Sequence, residues 1–214
     1  MEKNINKQMC KECGGLCCKQ TGCVYLPKDF ESMNFKFLRS QIMKGNISIS
    51  GHPAPGLRLN SWTFILYLRA RNENAKIVDL VNRGGKCKML GKNGCKYKDK
   101  DRPSVGLALK PHPTIRPCTM DNYGNIVTEQ WLKHQDVLHK LVKEFTGEDA
   151  DEVLIRDLKC MQDELNHKIG NDETLSGMYG QWFKWIRDII VDKPYYNSLE
   201  INDMRKKGMV YYAK

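Results

Sequence analysis

Cys10, Cys13, Cys17, Cys18 and Cys23 crowd into one short stretch, and Cys87, Cys95 and Cys118 form a looser second group. Thiolate sulfur is a soft anionic ligand for zinc and iron, so this density points first to metal chemistry. Cys10 and Cys13 are spaced so that two sulfurs can reach one ion from a tight turn. Cys13 and Cys17 stand four residues apart and share a face if that turn is helical. Gly14 and Gly15 between them tolerate the backbone angles of a loop wrapped on a cation. Cys17 and Cys18 are adjacent, and neighbouring side chains diverge, so they serve different metals, or one metal and one structural contact. The ninth cysteine, Cys160, lies on an apolar-striped helix and reads as a bystander, which leaves eight candidates, the number for two four-ligand sites.

The second group is rich in glycine, with Gly84-Gly85 before Cys87 and Gly91 and Gly94 inside the Cys87–Cys95 span. Asp99, Asp101 and Arg102 follow it, as groups that orient ligands or as ordinary surface pairs. Spacing does not separate zinc from an iron–sulfur cluster, although the bacterial ferredoxin run is absent. No phosphate loop, dinucleotide fingerprint, nucleophile elbow or zinc-protease motif occurs.

The run Cys10-Lys11-Glu12-Cys13-Gly14-Gly15-Leu16-Cys17-Cys18, with Gly85-Lys86-Cys87, Asn93-Gly94-Cys95 and Arg102-Pro103, resembles the CxxCxxCC family of zinc- or iron-chelating domains, the YkgJ-like cysteine-cluster proteins. The two matching stretches frame residues 10 to 118, and the resemblance implies metal or iron–sulfur binding through these cysteines. Trp131-Leu132-Lys133-His134 loosely resembles the helix that follows the cluster in related proteins. One departure stands out: the pattern continues from Arg-Pro through two residues to a further cysteine, where this chain has Gly106 after Ser104-Val105. Cys118 or His112 replaces it, or one site keeps an open position, which catalytic metal chemistry needs. A related cysteine module in proteins resembling the flagellin lysine N-methylase gives the alternative reading, an iron–sulfur-dependent redox or protein-modifying enzyme.

Composition narrows the setting. The chain has 214 residues, 41% of them hydrophobic and 28% charged, which suits an ordinary folded unit and excludes a disordered polyelectrolyte. Its longest apolar run, Phe64 to Leu68, is far short of a membrane span. The polar first nine residues leave no room for the apolar core of a secretory signal, so a cytoplasmic setting is expected, where thiols stay reduced and bind metal. The net charge of +10 is scattered over nearly every segment. A metal ion is therefore the expected partner; a membrane is not, nucleic acid is disfavoured, and a protein partner is left open.

The elements that must hold these groups read as α+β: a metal-stabilised cysteine-rich region over 1–127 with a small sheet, then a bundle of about three helices over 128–214, packed as one unit. Phe30, Met33, Phe37, Leu38 and Ile42 predict a helix over Asp29 to Met43, stopped at Gly45-Asn46. Strands are expected at Asn46–Ser50 and Trp62–Arg71, around a Pro/Gly loop at Gly51–Gly56 that holds His52. No period spans Gly84 to Asn125, as expected where metal orders a loop. Thr128 predicts the start of a helix closed by Gly147, with His134 and His139 on different faces, exposed or capping. Asp149 and Glu152 resemble a capping box for the next helix, which ends at Gly170. A last helix carries Leu175 to Ile190, with Trp182 and Trp185 on its core face rather than stacking on a base.

Overall fold

The computed structural model describes residues 14–55, 62–92, 94–110, 123–169, 195–196 and 199, and the described chain is a mixed α+β fold. Its helices are α1 (Leu16–Gln20), α2 (Phe35–Gln41), α3 (Ser104–Ala108), α4 (Tyr123–Leu132), α5 (Gln135–Thr146) and α6 (Ala150–Ile169). Its strands are β1 (Ile47–Pro55), β2 (Trp62–Ala70), β3 (Leu90–Gly91), β4 (Gly94–Cys95) and β5 (Tyr195–Tyr196). The expected helix over Leu175 to Ile190, with Trp182 and Trp185, lies outside the described residues, as do Cys10, Cys13, His112 and Cys118.

β1 and β2 form the spine, antiparallel from Ile47 opposite Ala70 to Pro55 opposite Trp62, with β5 parallel to the start of β2 and β3–β4 a separate small hairpin. Phe64 to Leu68 are all buried, so both faces of β2 are covered, which is why its sequence is an unbroken apolar run rather than an alternation. β1 extends through the segment expected to be a Pro/Gly loop. Ile49 and Gly51 donate their N–H groups to Ile77 O (2.8 Å) and Leu80 O (3.0 Å), away from β2. The backbone N–H groups of odd-numbered positions therefore point away from β2, and Pro53 and Pro55 stand where β2 needs no donor. His52 is consequently a strand residue, not a loop residue. Its Nε2 lies 2.9 Å from Thr128 Oγ1 on α4, and burial pushes its imidazole down to about 4.

The far edge of β2 is covered by parts that are not a strand. Leu68 O accepts from Tyr25 N (2.9 Å), Cys23 O accepts from Ala70 N (2.8 Å), and the amide of Gln135 pairs with both the N–H (3.0 Å) and C=O (2.9 Å) of Leu66. Gln135 is fully buried and does what a neighbouring strand would do, satisfying backbone groups that would otherwise be stranded in the core. The helix expected from Thr128 to Gly147 is accordingly two helices, broken at Lys133-His134. Thr128 is internal to α4, and the break lets Gln135 reach β2. His134 occupies the N-cap of α5, and Gly147 closes that helix at φ 76°.

The helix expected from Asp29 starts later. Pro27–Asp29 is a single 3-10 turn, and Asn34 caps α2 by accepting from Phe37 N at 2.8 Å. One arm of the expected capping box of α6 is present, with Asp149 N donating to Glu152 Oε2 at 2.9 Å. One hydrophobic core joins Leu38 and Ile42, the β1–β2 pair, Trp131, Leu138 and Leu141, and Leu154 and Leu158. Cys87, Leu90 and Val105 join it too, so the middle segment has a hydrophobic anchorage that its sequence does not suggest. Inside this core Arg69, 1% exposed, is ion-paired to Asp79 and donates to Ser50 Oγ at 2.7 Å.

Candidate metal centre

The two cysteine segments meet at the end of β2. Cys23 is fixed there because its carbonyl closes the strand edge at Ala70, and Val24 forms an antiparallel bridge with Arg69. Cys87 is fixed because residues 71–73 leave β2 and pair with 86–88: Lys88 N donates to Arg71 O (2.9 Å) and Glu73 N to Lys86 O (2.8 Å), with an antiparallel bridge between Asn72 and Cys87.

The segments are also bonded to each other. Helix α1 ends after a single turn, which leaves its last carbonyls without helical partners. Cys18 O accepts from Cys87 N and Gln20 O from Gly85 N, both at 2.7 Å, while Thr21 N closes on Cys17 O at 3.1 Å. The short helix is thus capped by the second cysteine segment.

Asn72, 1% exposed, is the joint between them. Its Oδ1 accepts from Gly22 N at 2.7 Å and its Nδ2 donates to Gly84 O at 2.8 Å. A β-carbon at Gly22 would lie 1.9 Å from Ala70 O, so only glycine permits this approach. Sequence reading passes over Asn72, because an isolated asparagine outside a motif gives no signal. The nearest hint was its place just past an apolar strand.

Five of the candidate ligands, Cys17, Cys18, Cys23, Cys87 and Cys95, lie in this region, and none forms a disulfide. The side chains of Cys17 and Cys18 influence each other's ionisation, as do those of Cys18 and Cys23. Cys18 also lies within electrostatic reach of Cys87, and Cys87 within reach of Cys95. Cys160 stands apart, exposed on α6. Among the described residues, no set of three or more His, Cys, Asp or Glu side chains converges as a metal-holding group.

Cys17, Cys18 and Cys87 are held neutral. Cys17 is pushed far up by its hydrogen bond to Cys18 and by burial. The bond from Cys17 favours the Cys18 thiolate, but the bond to Cys23 and burial outweigh it and push Cys18 up as well. Burial pushes Cys87 up. A nucleophilic cysteine needs the opposite shift, so Cys17, Cys18 and Cys87 are not activated nucleophiles. A bound metal ion reverses that balance, because coordination removes the thiol proton outright.

Tyr25 and Tyr97 lie within electrostatic reach of Cys87, and burial pushes both hydroxyls up. No family model, curated protein or solved structure matches the chain. Gly106 has a definite place in this region. It lies on α3, where a β-carbon would be 3.0 Å from Cys23 Sγ. The start of that helix is tied down by Asp29, whose Oδ2 accepts from Ser104 N and Ser104 Oγ, each at 3.0 Å. Around Cys87 and Cys95, Lys86, Lys88, Lys92, Lys96, Lys98 and Lys100 are exposed; Lys86 pairs with Glu73, and Lys88 donates to Gly45 O at 3.0 Å. His139 and His134 lie on or beside α5, and burial pushes both imidazoles down. Among the described residues no helix is long and apolar enough to cross a membrane.

Proposed function

We propose that the chain is a metal-binding cysteine-cluster protein of the CxxCxxCC type. Cys10, Cys13, Cys17, Cys18, Cys23, Cys87, Cys95 and Cys118 would hold zinc or an iron–sulfur cluster and so tie the N-terminal loop to the middle segment. The observation that carries this reading is the backbone bond from Cys87 N to Cys18 O at 2.7 Å, which brings together cysteines from segments far apart in sequence. All the donors there are thiols, the set that zinc and iron–sulfur clusters share. The surrounding lysines suit it as well, since a metal ion with several thiolates is a net anion. A cytoplasmic setting, which keeps thiols reduced, belongs to the same reading.

The test is metal and sulfide analysis with a visible spectrum on anaerobically purified protein. Colourless protein with bound zinc, or brown protein with iron and sulfide, is the expected outcome. Protein purified without either, and unable to take up either, defeats the reading.

A second reading rests on Gly106. The position where the resemblance expects a ligand lies against Cys23 and carries no side chain. That is the arrangement an open coordination position would need, as in a cluster-dependent redox or lysine N-methylase-like protein-modifying enzyme. Gly106→Cys separates the two. A closed structural site tolerates the added thiol with unchanged metal content, whereas an open site loses its exchangeable ligand, read as loss of the spectral response to added cyanide or imidazole.

A further inference from the structure

We propose that the β3–β4 hairpin and the segments packed on it form a basic surface that binds double-stranded DNA along its phosphate backbone, without reading sequence. This role uses no thiol and goes beyond the metal-binding reading above. Residues 84–98 hold five lysines, Lys86, Lys88, Lys92, Lys96 and Lys98, and no acid; acids resume at Asp99 and Asp101. All five lysines are exposed, and only Lys86 is ion-paired to a described residue, Glu73. The fold brings two more from elsewhere in the chain. Lys88 Nζ donates to Gly45 O at 3.0 Å, which sets it beside the exposed Lys44. A β-carbon at Gly15, the N-cap of α1, would lie 2.9 Å from Leu90 Cδ1, so the short helix that carries the exposed Lys19 packs on the hairpin. Across the hairpin the Lys96 stem lies over Gly91, 3.3 Å from where a β-carbon would be, and Lys92 stands at the turn. Charge that is scattered along the sequence is thus gathered in space.

The kind of side chain selects the partner. Lysine ammonium groups on flexible stems are point charges, which attract phosphates without the fixed fork that reads a base edge. Protein interfaces are anchored by tryptophan, tyrosine and arginine, and none of these is exposed within residues 84–98. Firm attachment to an anionic membrane takes an apolar anchor as well as charge. Among the described residues the exposed large apolar side chains are Met43 and Ile155, and only Met43 neighbours one of these lysines in the chain. Single strands are held by stacking on exposed aromatic rings, which residues 84–98 lack, whereas a duplex backbone needs only charge. Of the two kinds of duplex, B-form DNA has a major groove wide enough for a two-stranded β-ribbon, and RNA does not.

Fluorescence anisotropy of two short DNA duplexes of unrelated sequence, titrated with the full-length chain over a series of salt concentrations, tests this. Equal affinity for the two is expected, falling with salt at a log–log slope of about −4. Lys92→Gln, Lys96→Gln and Lys98→Gln together should flatten that slope by about 3 and weaken binding at least about tenfold. Removing the same charge elsewhere, with Lys133→Gln, Lys140→Gln and Lys159→Gln, should leave the slope nearly unchanged. All six lysines are exposed, so neither variant disturbs the core. Equal losses in the two variants would show that only total charge matters and overturn the surface, as would no binding at low salt. Tighter binding to single-stranded DNA, to an RNA duplex or to phosphatidylserine vesicles overturns the assignment to duplex DNA. Metal content measured on the same samples keeps a failure of the metal-binding reading distinct from a failure of this one.

Discussion

The β1–β2 pair with its helices and the cysteine region solve the same problem by different means. In the first, backbone groups at a sheet edge are satisfied by a buried side chain, Gln135, and the apolar surface is closed by Trp131, which is fully buried and donates its indole N–H to Tyr25 O at 2.8 Å. In the second, a one-turn helix and glycine-rich loops have little apolar surface of their own, and their order comes from bonds to the end of β2 through Asn72, Ala70 and Cys87. One region would keep its shape by burial. The other borrows its shape from the end of β2.

The sharpest way to break this comparison is to remove the core. Trp131→Ala should cost about 3–5 kcal/mol and loosen both regions together, measured by denaturant unfolding. If the cysteine region kept its order in that variant, its dependence on the core would be refuted.

Acidification acts on the core side alone. The folded His52 is held down to about 4 by burial, against about 6.5 in an unfolded chain. Between those values the unfolded chain binds a proton that the folded chain does not, so stability should be complete above about pH 6.5 and fall as the pH drops toward 4. The His52 share of the loss should be at most about 3 kcal/mol, and His52→Gln should lessen the slope, leaving the part due to His134 and His139. Urea melts of both proteins at pH 7 and 4.5 give the comparison; equal slopes with pH in the two would exclude His52 as the cause.

Cutting the seam should cost less and act locally. Asn72→Ala leaves Gly22 N and Gly84 O without their partner, a penalty of about 2 kcal/mol. It should speed amide exchange at residues 22, 84 and 87 more than at β2. Chelation should have the same local character and a smaller effect. Stripping metal should speed exchange at least about tenfold over 14–23 and 84–95 while β2 and α5 keep their protection. Uniform acceleration across the chain would erase the distinction between the regions. The smallest expected effect is that of Gly147→Ala, about 1 kcal/mol for forcing a side chain at φ 76°, seen in the melting temperature with metal content unchanged.

Much of the architecture was legible wherever one local pattern decided it. The aromatic and branched residues of Trp62–Arg71 announced a strand, Asp149 and Glu152 announced the start of α6, and Gly147 announced the end of α5. The reading failed where a distant partner decided. Pro53 and Pro55 look like loop residues until β1 is seen with their positions turned outward. Thr128 looks like a cap until Gln135 is seen filling the edge of β2, which requires the break at His134.

The same division holds for the cysteines. Their number, kind and crowding are fixed by the sequence, and with them the ground for proposing metal chemistry, because sulfur's affinity for soft metals depends on the atom and not on the fold. Which thiol faces which was decided only by tertiary structure. Cys18 meets Cys87 because the last carbonyls of a one-turn helix need donors and the strand extension after β2 supplies them. Gly106 meets Cys23 because Asp29 holds the start of α3 in place. Such partners come from hydrogen-bond demands between segments remote in the chain, and no spacing within either segment encodes them.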